Sequence, residues 1–287
     1  MDAGYELLDA GDGRRLERFG SVVVDRPAPS AAEPRRDPDA WRSADLAFSR
    51  EGGWTGARPG EAWTVELDGL TFELRPTESG QVGVFPEQVP NWRWLRDRLT
   101  ADVHADAAAG FLNLFGYTGG ATLVLAGSAV PVAHVDGSRP AVAWARRNAA
   151  LSGLADRPVR WLVDDAEAFV SRESRRGRRY RGVILDPPSY GHGAGGRSWR
   201  LEERLPSLLE GCVSVTGGKP DLVLLTAHTP GFEAPRLADE LAAALGRRAR
   251  DVEAGDLEVD ARSGARLTLG SFARWPGPAA GRDRGRG

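Results

Sequence analysis

Cysteine is nearly absent from this chain of 287 residues: Cys212 stands alone, so no internal disulfide can form. Histidine is scarce too, at four residues, and no spacing such as C-x-x-C or H-E-x-x-H occurs, so no metal site is expected. No apolar run approaches the ~20 residues needed to cross a bilayer, and the opening stretch MDAGYELLDAGDGRRLERFG lacks a charged-then-apolar leader. An excess of one charge sign is also missing: 38 Lys plus Arg stand against 40 Asp plus Glu, a net charge of -2. Global attraction to a polyanion is thereby excluded, and a nucleic-acid partner would need a local basic patch. Together these absences set the expectation of a soluble, cytoplasmic protein with neither membrane nor metal contacts.

What is present divides by pattern. Over residues 1–84 the chain reads as a β-rich N-terminal module. Alternation in TVEL (64–67) and LTFEL (70–74) flanks Asp68-Gly69, a pair suited to a two-residue hairpin. RPAPSAAEPRRDPD (26–39), rich in proline and charge, reads as an exposed loop. After Pro90, Asn91 can cap a helix with Leu95, Leu99 and Val103 on one stripe. From residue 111, short apolar runs (FLNLF, VPVAHV, VRWLV, GVILD, DLVLLTA) alternate with helical patterns near 118–127, 139–151, 165–174, 199–215 and 234–247. Continuous apolar strands separated by helices imply an α/β, doubly wound, Rossmann-like parallel sheet covered on both faces. Segments near 250–259 and 266–274 are joined by ARSGA, too short for a crossover, so the last strand should be antiparallel. The expected organisation is therefore a module over 1–84, an α/β domain over 85–275, and a disordered polar tail over 276–287.

Ligands of such sheets collect beyond the carboxyl ends of the strands. There the first strand-to-helix turn reads Asn113-Leu114-Phe115-Gly116-Tyr117-Thr118-Gly119-Gly120, whose glycines let a ligand or another part of the chain approach closely. Asp136 ends the second run, 20 residues after Gly116, where a carboxylate can hold ribose hydroxyls or cap the following helix. Asp165, in Asp164-Asp165-Ala166 at the end of the third, suits an adenine amino group or an N-cap. NAD would fit these three ends equally. The fourth run ends in Asp186-Pro187-Pro188-Ser189-Tyr190: an acceptor carboxylate, carbonyls freed by prolines, and an aromatic face. This set suits a planar base held by an edge amino group, or it is a proline-stiffened turn.

At these residues the sequence resembles class I S-adenosylmethionine-dependent methyltransferases, and more closely the bacterial 23S ribosomal RNA methyltransferase I-like group, which includes 5-methylcytosine and 7-methylguanine enzymes. LNLFGYTGG (112–120), VDGS (135–138), ARRNAALSGL (145–154), DDAEAF (164–169) and LDPPSYG (185–191) carry the resemblance, and QVGVFPEQ (81–88) resembles the segment upstream of the core. The resemblance implies a seven-stranded sheet with an antiparallel last strand and S-adenosyl-L-methionine as cofactor. It implies that Phe85 and Glu87 lie near the methionine end, with Asn113, Phe115, Gly116, Tyr117, Thr118 and Gly119 receiving the methionine portion. It further implies Asp136, Gly137 and Ser138 at the ribose, Asn148 in support, and Asp165 with Ala166 at the adenine. Asp186 would touch both cofactor and substrate, and Asp186, Pro187, Pro188 and Tyr190 form the expected catalytic group.

Two departures from the group matter. The N-terminal region does not look like the RNA-binding PUA module of some relatives. Methylation of cytosine carbon-5 needs a cysteine thiolate, and the stretch DLVLLTAHTPGF (221–232), where the group's 5-methylcytosine enzymes carry it, has His228 and Thr229 instead. Cys212 falls within a predicted helix. The expectation is methylation of a base nitrogen in RNA, ribosomal by resemblance. A small planar metabolite as substrate, or a non-catalytic RNA-binding factor keeping the fold, are the other readings. His192 and His228 are candidate proton acceptors or plain loop residues. Arg172, Arg175, Arg176, Arg178, Arg179 and Arg181, with Arg282, Arg284 and Arg286, could hold phosphates or merely solvate a surface.

Overall fold

The computed structural model describes residues 4–57, 60–101, 109–192 and 198–277. Seven strands come first: β1 (Tyr5–Gly11), β2 (Arg14–Phe19), β3 (Val22–Pro27), β4 (Leu46–Ser49), β5 (Gly53–Gly56), β6 (Trp63–Leu67) and β7 (Leu70–Leu74). β1 to β5 form one sheet in chain order, antiparallel throughout except for the parallel pair β3 and β4. β6 and β7 form the anticipated hairpin, and Asp68 and Gly69 both take positive φ (54° and 77°), the turn that matches strand twist.

Helix α1 (Val89–Ala101) starts two residues before the expected cap. A 3-10 turn at Pro86–Gln88 leads into it, so Asn91 lies inside the helix, fully buried, and receives Arg274 on its Oδ1 while donating to Gln88. Leu95 is buried and Leu99 packs beside it; Val103 lies outside the described residues. The alternating part follows: β8 (Phe111–Leu114), α2 (Gly120–Gly127), β9 (Val132–Asp136), α3 (Arg139–Leu151), β10 (Val159–Val163), α4 (Ala166–Arg175) and β11 (Gly182–Leu185). Then come the short strands β12 (Tyr190–His192) and β13 (Ser198–Arg200), α5 (Leu201–Val215), β14 (Leu222–Ala227), α6 (Ala234–Leu245), β15 (Glu253–Asp260) and β16 (Arg266–Trp275). The large sheet has the order β10-β9-β8-β11-β14-β16-β15, parallel from β10 to β14, with β16 antiparallel to both neighbours. Central strands β8, β11 and β14 are buried at every position, as a sheet covered on both faces requires.

The loop after β3 is less exposed than its composition suggests. Ala28 and Ala31 are buried against Ala261, Ala265 and Leu267 of the β15–β16 hairpin. Asp9, fully buried, anchors this junction by accepting from Ser263 Oγ (2.6 Å), Trp41 Nε1 (2.8 Å) and the Asp37 amide (3.0 Å). No helix among the described residues is long and apolar enough to cross a membrane. The polar tail from residue 278 onward lies outside the described residues.

A charged cluster is sealed inside the N-terminal sheet. Glu17, fully buried, receives Arg26 through Nε (2.5 Å) and Nη2 (3.1 Å) and the Tyr5 hydroxyl (3.1 Å), while Arg15 Nε lies 3.3 Å away. Arg26, 1% exposed, continues to Gln81 Oε1 (2.8 Å). Burial alone would raise the Glu17 carboxyl, but the two guanidiniums outweigh it and hold it below its ordinary range. Removing one partner leaves buried charge uncompensated, so Glu17→Gln should cost about 3–5 kcal/mol in a urea-unfolding comparison with the parent. A loss below about 1 kcal/mol would show that the cluster is not needed for folding.

Candidate active site

The carboxyl ends of β8, β9, β10 and β11 open onto one cavity of about 430 Å³. Asp136 and Asp186 both line it, together with Gly137, Ser138, Asp165 and Ala166 on one side and Pro188, Gly191 and Trp199 on the other. Phe115, Tyr117 and Asp186 also border a second, narrower cavity of about 70 Å³ that runs inward past Phe85, Gln88, Asn113, Gly116 and Thr118. Asp186 and the glycine turn thus stand where a wide chamber meets a narrow one.

The turn is built by internal packing. A Cβ on Gly116 would come within 2.4 Å of the His134 ring, and one on Gly120 within 2.5 Å of Trp92, so both glycines make room for side chains of the protein itself. Phe115 and Tyr117, which are not glycines, take positive φ (56° and 47°), a strained conformation concentrated at functional loops. What holds it is Asp136. Its Oδ2 accepts the Tyr117 amide and its Oδ1 the Ser138 amide, each at 2.8 Å, tying the first strand end to the second. Burial raises its carboxyl above the ordinary value, and the two amides offset only part of this.

Ser138 and Asp165 act as N-caps, accepting from Ala141 (3.2 Å) and Ala168 (2.8 Å), while still lining the wide cavity. Capping and lining are thus joined in one residue. Asn113 reaches Thr122 (2.7 Å) and Thr118 reaches the Gly83 carbonyl (2.6 Å); both also border the narrow cavity. Asn148 is placed elsewhere. Fully buried and lining neither cavity, it accepts the Glu73 amide (2.8 Å) and donates to the Thr118 carbonyl (2.9 Å), a strut between the β6–β7 hairpin and the turn. Gly119 caps α2 with φ 98° and lines neither cavity.

At the fourth strand end, Asp186 keeps its Oδ1 buried without a hydrogen-bond partner among the described residues. His228 Nε2 stands 3.5 Å from Oδ2, an ion pair when the imidazole is charged, and Thr226 lines the narrow cavity beside it. The Pro188 carbonyl is not free: Trp199 Nε1 donates to it at 2.7 Å, because the β12–β13 pair folds Trp199 back under the prolines. Pro187 is buried in the turn and Tyr190 is 74% exposed at its rim. Glu87, 3% exposed, lies in the chain between the cavity-lining Phe85 and Gln88 but lines neither cavity itself, and its Oε2 has no hydrogen-bond partner among the described residues. Sequence reasoning did not single out Thr226, Trp199 or Gln88. Thr226 is a polar residue in an otherwise apolar strand, and that interruption was the available signal.

The arginine-rich segment lies elsewhere. It begins in the last turn of α4, which holds Arg172 and Arg175, and at its far end the amide of Arg181 bonds Gly110 while its carbonyl accepts Asp221, residues that precede β8 and β14. It therefore sits at the amino ends of the strands, opposite the cavities. Arg172 alone reaches back, to Asp164. Arg282, Arg284 and Arg286 lie outside the described residues, as does the side chain of His192.

Comparison with known proteins places this architecture. A family model described as S-adenosylmethionine-dependent methyltransferase matches residues 42–233. The chain is 30% identical over 190 residues to ribosomal RNA large subunit methyltransferase K/L of Magnetococcus marinus, covering 66% of this chain and 24% of that protein. It is 25% identical over 189 residues to ribosomal RNA large subunit methyltransferase I of Alteromonas mediterranea, covering 66% and 45%. The chain thus spans half or less of the length of these curated relatives. Among solved structures, a SAM-dependent methyltransferase from Agrobacterium tumefaciens superposes with a TM-score of 0.86 at 36% identity, covering 95% of this chain and 90% of that one.

His134 yields a pH prediction. It is fully buried, its Nδ1 lies 2.8 Å from Thr122 Oγ1, and burial pushes its pKa down to about 3. The folded protein keeps it neutral while the unfolded chain protonates near 6.5, so stability present above that value is lost as pH falls toward 3. The slope from this group is about 1.4 kcal/mol per pH unit. Urea midpoints measured from pH 7 to pH 4 should fall faster for the parent than for His134→Asn; parallel curves would reject the burial argument.

Proposed function

This chain belongs to the S-adenosylmethionine-dependent methyltransferase family, and from that premise we propose that it transfers a methyl group to a nitrogen of a base in RNA, ribosomal RNA by analogy with the relatives named above. The observation that carries the reading is Asp186 Oδ1, a buried acceptor left without a partner where the two cavities meet. An exocyclic amine donating to that oxygen has its lone pair fixed in direction, which is what in-line displacement at a methyl requires. Guanine N7, with no hydrogen to donate, would leave Oδ1 unsatisfied at a cost of about 1–3 kcal/mol. The amine is therefore the better fit of the two.

S-adenosyl-L-methionine supplies an electrophilic methyl group on a sulfonium. The residues present suit it by their chemistry. Asp136, with lone pairs to spare beyond its two amides, faces the wide cavity as a ribose acceptor, and Asp165 with Ala166 borders the adenine end. The narrow cavity, lined by Phe85, Asn113, Phe115, Gly116, Tyr117 and Thr118, suits the methionine portion. Glu87 keeps an acceptor oxygen for its ammonium group. Asn148 and Gly119 would support this site through the loop they hold, and Pro187 and Pro188 through the stiffness of the turn. Exposed Tyr190 offers a flat face for stacking an unpaired base.

Carbon methylation is disfavoured. Cys212 is buried within α5, and burial raises its thiol to about 12, so no thiolate is at hand. The domain division that accompanies this reading is a β-rich module over 1–84 and a methyltransferase domain over 85–275, supported by the absence of any shared sheet between β1–β7 and β8–β16 among the described residues.

Two measurements test the proposal. Nucleosides from the ribosomal RNA of a strain lacking this protein, analysed by mass spectrometry, should lack one N-methylated base; if every modification survives, the ribosomal assignment fails. Calorimetric titration with S-adenosylhomocysteine should show at least about a tenfold loss of affinity in Asp136→Ala, or ~1.4 kcal/mol. Unchanged affinity would remove the ribose role.

A further inference from the structure

His228 sits beside Asp186 but on a different element, just past the end of β14. Its Nδ1 donates to the carbonyl of Leu269 at 2.7 Å, and its Nε2 stands 3.5 Å from Asp186 Oδ2. Both of its ring nitrogens thus face acceptors. The imidazole is held on its other faces too: the Phe85 ring lies 5.8 Å away, tilted by 32°, and a Cβ on Gly270 would approach Nδ1 to 2.9 Å. A Cβ there would also meet the Ala227 carbonyl at 2.5 Å, so the glycine makes room for the neighbouring strand as well as for the ring. Although exposed to solvent, the side chain thus touches a glycine, a carbonyl, an aromatic ring and a carboxylate.

We propose that His228 is a positioning residue for Asp186: with Nδ1 held by the Leu269 carbonyl and Nε2 turned to Oδ2, it keeps Asp186 anionic and engages Oδ2, so that Oδ1 is the oxygen presented to the substrate. The inference rests on the reading of Asp186 as the group that receives a substrate N–H. A protonated carboxyl would present its own O–H to that N–H, donor against donor. A rotated carboxylate would point the lone pair of the amine away from the methyl. Thr226, buried in β14, lines the narrow cavity next to the same carboxylate.

The electrostatics agree with the geometry. Burial favours neutral imidazole, but the Asp186 carboxylate outweighs it, with Glu87 and the Leu269 carbonyl adding to the effect, and the pKa of His228 rises to about 10. Burial likewise raises Asp186, and His228 with Thr226 more than reverses this. The ionisable groups facing His228 are therefore Asp186 and Glu87, both acidic. A histidine charged at neutral pH has no lone pair to take a proton, so a role as general base is set aside.

The test has two arms. In the free protein, nitrogen-detected NMR of His228, assigned by the signal missing in His228→Gln, should show an imidazolium that persists above about pH 8, and Asp186→Asn should return its titration to about 6.5. A wild-type His228 titrating near 6.5 would overturn the proposal whatever the enzyme's substrate. In the second arm, 23S ribosomal RNA from a strain lacking the protein is methylated with tritiated S-adenosylmethionine. For His228→Ala the acid limb of kcat should move up by at least about one pH unit, so that the loss is largest at acidic pH and recovers toward neutrality. Affinity for S-adenosylhomocysteine should change less than about twofold, and His228→Gln, which keeps a neutral donor, should fall between parent and alanine variant. An unshifted acid limb, or a loss equal at every pH, would overturn the positioning role. If the parent itself fails to methylate this RNA, the RNA assignment falls while the NMR arm still decides the pairing of His228 with Asp186.

Discussion

Parallel strands cannot be joined by tight turns, and from that constraint the rest of this molecule follows. Each crossover must leave the carboxyl end of one strand and return to the amino end of the next, so every strand-to-helix turn of β8 to β11 falls on the same edge. The sheet order places β9 and β11 on opposite sides of β8. The helices that follow these strands therefore diverge, and a crevice opens over the end of the central strand. Polar residues that are far apart in sequence, Asp136, Asp165 and Asp186, meet there because the hydrogen-bonded ladder brings them, without any need for affinity among them. Backbone amides hold Asp136 and Asp165 in place there, and an imidazole stands beside Asp186.

The N-terminal strands complete the arrangement from outside the sheet. The segment from Gln81 to Gln88 connects the two parts: Gln81 ends on the buried Arg26 of the small sheet, while Phe85 and Gln88 reach the narrow cavity. Glu87 stands between two cationic groups, raising both Arg26 and His228. Alternating positive and negative side chains thus extend from the interior of the small sheet to the cavity edge.

Much of this arrangement was legible in the sequence. The apolar runs beginning at Phe111, Gly182 and Leu222 read as strands buried on both faces, and α3 spans the residues its apolar period marks, although Ser138 caps it where Asp136 had been the candidate. ARSGA is too short to cross a sheet, which made the antiparallel last strand readable before any coordinates. Strand ends carrying Asp136 and Asp186 converge on one cavity for the same topological reason. What stayed hidden depends on contacts between distant residues. Nothing local in Asn148 reveals that both ends of its amide are used, by Glu73 and Thr118. Proline composition alone could not foretell that Trp199 would occupy the Pro188 carbonyl, nor that Ala28 and Ala31 would dock on a hairpin more than 200 residues away. Asn91 failed as a cap because the preceding 3-10 turn had already begun to wind the chain.

The glycines of the first turn have an implication for engineering and for descent. Gly116 lies against the ring of His134 and Gly120 against Trp92, so the turn is keyed to one residue on the neighbouring strand and another on the helix before it. Grafting this loop onto a relative, or randomising it in a library, would fail unless positions 92 and 134 travelled with it. Substitutions at these four places should therefore be read as one inherited unit, whose members change together or not at all.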